Sequence, residues 1–148
     1  MSILLSLPDK FVRKAVYTLL GGVSGITVNT KNVKCYDSRI TGNTKPTQYI
    51  LMTTQTNQVS ERVKCGDRWN SSILLDIVTR YKSTGNTGSR LLADDIAEAV
   101  RNLLETNLTL EGGLNVITQK LDFPNDISSV TTNENVFRKF IRIELSIN

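Results

Sequence analysis

The run Ser71-Ser72-Ile73-Leu74-Leu75-Asp76-Ile77-Val78-Thr79-Arg80-Tyr81 limits the possible folds of this chain more than any other stretch. As a strand it alternates its side chains between two faces, with Ile73, Leu75 and Ile77 on one and Leu74 and Val78 on the other. A strand that is apolar on both faces belongs in the middle of a sheet covered twice. Helices can supply one cover. Asp76 stands on the second face, where a carboxylate disfavours a dry intramolecular core, so that side points to a subunit contact.

The flanking sequence supplies the helices and the remaining strands. Ser6-Leu7-Pro8-Asp9 has the form of a capping box with proline in the first turn. Phe11, Val12, Ala15, Val16, Leu19 and Leu20 then recur at helical spacing, with Lys10, Arg13 and Lys14 on the other side, and Gly21-Gly22 offers a left-handed C-cap. Residues 26–37 carry alternation for one or two short strands, and 49–61 read as a strand. Gly66-Asp67 marks a turn within 62–68, so that 49–81 form a long antiparallel hairpin with a polar loop over 57–70. A second helix is expected from about Ser89 to Thr106, with Leu92, Ile96, Ala99, Val100, Leu103 and Leu104 as its apolar stripe. Gly112-Gly113 turns into a strand over 114–122, a loop holds Pro124-Asn125-Asp126, and the last strand places Ile141, Ile143, Leu145 and Ile147 on one face. The expected fold is α+β: one domain over 1–148, with two helices on one face of a largely antiparallel sheet.

The polar run Gly85-Asn86-Thr87-Gly88-Ser89-Arg90 before the second helix invites comparison with a phosphate loop. It lacks the phosphate-reaching lysine, and its glycines stand too close together, so it reads as a strand-to-helix connection capped by Thr87 or Ser89.

Composition narrows the chemistry. The 148 residues contain no histidine, which removes the commonest general base, the usual partner of nucleophilic Ser or Cys, and the commonest metal ligand. The 14 acids are scattered, and the pair Asp94-Asp95 is explained by the positive end of a helix. Cys35 and Cys65 lack CxxC spacing and read as free thiols. No catalytic residues, metal or cofactor are expected. No apolar run approaches the ~20 residues that cross a bilayer, and the start lacks a signal peptide, so a soluble chain made in the cytoplasm, without membrane contact, is expected. The net charge of +4 permits contact with a polyanion without requiring it.

Beyond these physical limits, the order of elements and several stretches resemble the tail-completion or tail-terminator family of tailed bacteriophages. These small virion proteins are related in fold to minor proteins of the head–tail junction. The stretches are Pro46-Thr47-Gln48-Tyr49-Ile50-Leu51-Met52, the strand over 71–81 with its Gly-rich loop, the helix that begins Leu91-Leu92-Ala93-Asp94-Asp95, the segment Leu108 to Ile117, and the terminal strand from Val136. The resemblance covers roughly residues 8 to 147. It implies a structural protein whose subunits close into a ring of six or twelve at the tail end or head–tail junction. Portal, connector and tail proteins would be its neighbours, and genomic DNA would pass through the lumen without sequence specificity. The location implied is the virion, after assembly in the host cytoplasm.

Within that picture, the candidate lumen or partner contacts are Lys10, Arg13 and Lys14 on the first helix and Arg138 and Arg142 near the last strand, with Lys139 on the opposite strand face. Candidate subunit contacts are Arg62, Lys64, Arg68 and Trp69 around the hairpin tip, and Asp76. Trp69 either reaches a neighbour or tucks into its own core. The alternative is a small basic nucleic-acid-binding module using the same cations, although dedicated binders carry a denser basic patch or stacking aromatics on an exposed strand.

Overall fold

The computed structural model describes residues 7–38, 46–63, 66–82, 90–124, 126–130 and 134–148, with backbone alone at 61–63, 66–67, 82 and 130. Strand β4 (Gly66–Lys82) is the axis of the sheet. On one flank it pairs antiparallel with β3 (Gln48–Val63), from Gln48↔Thr79 to Val63↔Gly66. On the other it pairs antiparallel with β7 (Glu134–Ile147), from Lys82↔Glu134 to Trp69↔Ile147. The remaining strands are β1 (Ile26–Val28), β2 (Lys31–Asp37), β5 (Val116–Asp122) and β6 (Ile127–Val130). They complete a seven-stranded sheet in the order β1-β2-β3-β4-β7-β5, with β6 beside the first part of β7. β2 and β3 pair in parallel; the other described pairings are antiparallel.

Both helices pack on one face, as the sequence indicates. Ile50 and Met52 of β3, Ile73, Leu75 and Ile77 of β4, and Ile141, Ile143, Leu145 and Ile147 of β7 are buried there. α1 (Asp9–Leu19) adds Val12 and Val16, and α2 (Leu91–Leu103) adds Leu92, Ala93, Ile96, Ala97 and Val100. Each fully buried side chain of this size contributes roughly 1.5–3 kcal/mol relative to exposure, so these inward rows are the main source of stability.

The helix ends differ from expectation at their starts. Pro8 is the N-cap of α1, its carbonyl accepts from the Val12 N–H at 2.9 Å, and its own side chain makes no capping bond; Ser6 lies outside the described residues. α2 starts at Leu91 after Arg90, again with no side-chain cap, and Thr87, Ser89 and the glycines at 85 and 88 lie outside the described residues. The C-terminus of α1 is as expected. The Gly22 N–H donates to Tyr17 O at 2.9 Å and the Gly21 N–H to Thr18 O at 3.1 Å, with Gly21 at φ 89°, which is a Schellman ending. Gln119 of β5 closes the end of α2, donating through Nε2 to Leu104 O at 3.0 Å and accepting from the Leu108 N–H at 2.8 Å.

Three strand boundaries also depart from the sequence reading. The polar loop expected over 57–70 is paired strand from Asn57↔Ser71 to Val63↔Gly66, and Gly66-Asp67 lies within β4; Lys64 and Cys65 lie outside the described residues. Asn57, Gln58, Ser60, Glu61 and Arg62 are polar there, so the sequence shows no apolar period that would mark a strand. β6 was not anticipated: its four residues are too few to show a period. β7 begins at Glu134, well before the apolar alternation that starts at Phe140.

Gly21→Ala and Gly113→Ala separate backbone conformation from crowding, since both glycines have positive φ. A Cβ at Gly21 would lie 2.0 Å from Gly25 O, whereas at Gly113 it would meet open space. Urea denaturation should give a loss of about 1 kcal/mol for Gly113→Ala and about 2–4 kcal/mol for Gly21→Ala.

Candidate interface surfaces

The face of the sheet away from the helices is built from the alternate residues of the central strands. Leu51 of β3 lies opposite Asp76, which in turn lies opposite Phe140 of β7, and Val78 lies opposite Arg138. Asp76 is only 1% exposed. Arg138 reaches it diagonally across the β4–β7 ladder, with Nε 3.1 Å from Oδ2 and Nη2 also donating to Oδ2. The hydrogen bonds to Asp76 raise the Arg138 pKa further, against a smaller lowering by burial. Arg138 also lies over the Phe140 ring, 5.4 Å from its centroid, and Tyr36 meets Tyr49 edge-on. The carboxylate that the sequence leaves without a partner is thus matched inside its own subunit. A buried acid needs such a partner, and strand alternation alone cannot show one 62 positions away.

The other candidate cations are placed on two sides of the sheet. On the helix side, the Arg13 Nη2 donates to Gln55 Oε1 at 2.7 Å and its Nε lies 3.7 Å from Asp37; Lys14 pairs with Glu111 at 2.9 Å. Lys139 is on this side too, 3.3 Å from both Asp94 and Asp126. Burial lowers its pKa, but the bonds to those two acids outweigh that and leave it raised. Arg142 is on the far side, 3.3 Å from Asp122. Lys139 and Arg142 therefore occupy opposite faces, as alternation requires. Among these residues Lys10 alone has no acidic partner among the described residues; its ammonium stands 5.0 Å from the Phe11 ring centroid. Exposed pairs of this kind are each worth under about 1 kcal/mol, yet they cancel much of the local positive field.

Around the hairpin tip, Trp69 is half-buried against the hydrophobic core and pairs with Val59 and Ile147, so it anchors the base of the arm. Arg68 is exposed, opposite Glu61. Arg62 lies opposite Asp67 in the ribbon, its side chain outside the described residues, as is Lys64 altogether. Several stretches of strand edge have no described strand beside them. β2 pairs with β3 only as far as Met52, so no described strand covers β3 from Thr53 to Val63, and none covers the outer side of β5. Which strands form these edges is not legible in the sequence, because strand order is not encoded locally.

Among the described residues no cluster of acids and cysteines could hold a metal ion, and no helix is long and apolar enough to cross a membrane. Asp95, one of the two acids at the start of α2, accepts from Asn29 Nδ2 at 2.6 Å. Burial, with a smaller contribution from Asp37, pushes the Cys35 thiol up to about 12. That thiol stays protonated at neutral pH and is a poor nucleophile.

Neither a family model nor a curated protein matches the chain. A similar fold occurs in a solved structure of the virion of a native gene transfer agent particle. The match covers 93% of this chain and 96% of that one, with a TM-score of 0.58 and 15% sequence identity. The likeness is one of fold.

A double-mutant cycle on Asp76 and Arg138 tests the inner pair. Arg138→Ala should cost about 2 kcal/mol in chemical denaturation by leaving a buried carboxylate unmatched, and Asp76→Ala with Arg138→Ala should be less harmful than the sum of the single changes, with a coupling of about 1–3 kcal/mol.

Proposed function

We propose that this chain is a structural subunit of a phage-like virion that closes into a ring of six or twelve copies at the tail end or the head–tail junction. The observation that carries this reading is the fold shared with a gene transfer agent virion chain over nearly the whole of both chains. The sheet is suited to it. A ring is a head-to-tail assembly and needs two different surfaces on each subunit. The uncovered β3 edge, which runs out onto the hairpin arm, and the uncovered β5 edge lie at opposite flanks of the β4–β7 centre. Arg62 and Arg68 lie along that arm and, with Lys64, are candidate subunit contacts. Open edges of this kind are a hazard to a lone subunit and an asset to an assembling one.

The role is structural rather than enzymatic, with portal or connector and tail proteins as neighbours and DNA passing through the ring. Contact with that DNA is weak and independent of sequence. Most candidate cations are already matched by acids, which suits a wall that DNA slides past better than a dedicated binding module.

Native mass spectrometry and negative-stain imaging of the purified chain, alone and with the tail or connector proteins encoded beside it, should give one discrete annular oligomer. A monomer under every condition would overturn the reading. Binding to duplex DNA should be no tighter than about 10⁻⁴–10⁻⁶ M at physiological salt, lack sequence preference and weaken steeply as salt rises.

A further inference from the structure

Lys10, Arg13, Lys14 and Tyr17 form one stripe of α1, and together they line one side of an open pocket of about 460 Å³. Its other lining residues are Cys35, Tyr36 and Asp37 of β2 and Met52 of β3. The base is apolar and well packed: Cys35 is 4% exposed and Met52 2%. Arg13 is held toward the pocket rim by Gln55, which is itself anchored through Nε2 on Asp9 O at 2.9 Å.

A second feature converges on the same place. β1 pairs with β2 only up to Val33, and Gly25 approaches so closely that an added Cβ would stand 2.4 Å from Val33 O. Beyond that point β2 pairs with β3 on its inner side, Lys34↔Tyr49 to Asp37↔Met52, and no described strand covers its outer side. The backbone of residues 35–37 therefore offers a short free strand edge beside the basic stripe.

We infer that this groove docks an extended acidic segment of a partner protein, added as a strand along the outer edge of β2. Such a segment would exchange backbone hydrogen bonds with β2 and send alternate side chains into the pocket. The residue facing Cys35 and Met52 must be apolar. The positions two before and two after it face the α1 stripe, where Lys14 is matched by Glu111 and Arg13 by Asp37 but Lys10 has no acid partner among the described residues, and a carboxylate fits beside it. The required pattern is acid, any, apolar, any, acid. Duplex DNA fits less well, since phosphates need donors and find an apolar floor here. The groove lies within one subunit, so the inference holds whether or not the ring forms.

The test is an NMR titration of the ¹⁵N-labelled protein with the blocked peptide acetyl-Glu-Thr-Leu-Thr-Glu-amide. Shifts should concentrate at the amides of Cys35, Asp37 and Tyr17. Lys10→Glu, which breaks no ion pair with an acid among the described residues, should weaken binding about fivefold, and Asp37→Asn should tighten it about threefold, as expected for rim charges. The inference is overturned if no shifts occur at millimolar peptide, if the Gln-for-Glu peptide binds equally, or if neither substitution alters affinity. A twelve-base-pair duplex that moves the same amides at lower concentration would make this a nucleic-acid surface instead.

Discussion

Everything in this sheet hangs on β4 being hydrogen-bonded along both flanks. Its inward residues meet those of β3 on one side and β7 on the other, so Ile50, Ile77, Ile73 and Ile143 form one continuous apolar floor for the two helices. The helices are short and contribute little by themselves; isolated segments of their length are marginal in water. They persist because that floor is wide enough to bury Val12 and Val16 of one and Ile96 and Val100 of the other.

How much of this could be read from the sequence depended on the period of each segment. The helix stripes and the alternation of Ile141, Ile143, Leu145 and Ile147 were plain, because each has one wet and one dry side. The centrality of β4 was legible for the opposite reason, since it is apolar on both. Residues 57–63 misled because, apart from Val59 and Val63, they are polar and show too few apolar residues to mark a period. The candidate site was read less well. Lys10, Arg13 and Lys14 were identified as a group, but the pocket beside them needs β2 to arrive from another part of the chain. The acids that match Lys14, Lys139 and Arg142 are equally invisible to local reasoning.

The distribution of charge has a common logic across the molecule. Cations on both faces are met by acids from neighbouring elements, whether Glu111 against Lys14, Asp122 against Arg142 or Glu134 against Arg80. Lys10, beside the β2 edge, is a candidate cation with no such acid among the described residues. A surface organised in this way offers local contacts to small acidic features rather than a broad field to a polyanion.

The pairing of Asp76 with Arg138 also bears on how the sheet is completed. The β3–β4 hairpin is local in the chain, whereas the β7 flank of β4 must wait until the residues between Lys82 and Glu134 have been made. During that interval β4 shows an open edge flanked by Leu74, Leu75, Ile77 and Val78, the kind of segment that recruits other chains. A charged carboxylate in its midst interrupts the run and makes a wrong partner strand costly. Once β7 is in place Arg138 matches that charge, so the carboxylate that is costly beside a strand without a counterion is accommodated beside β7.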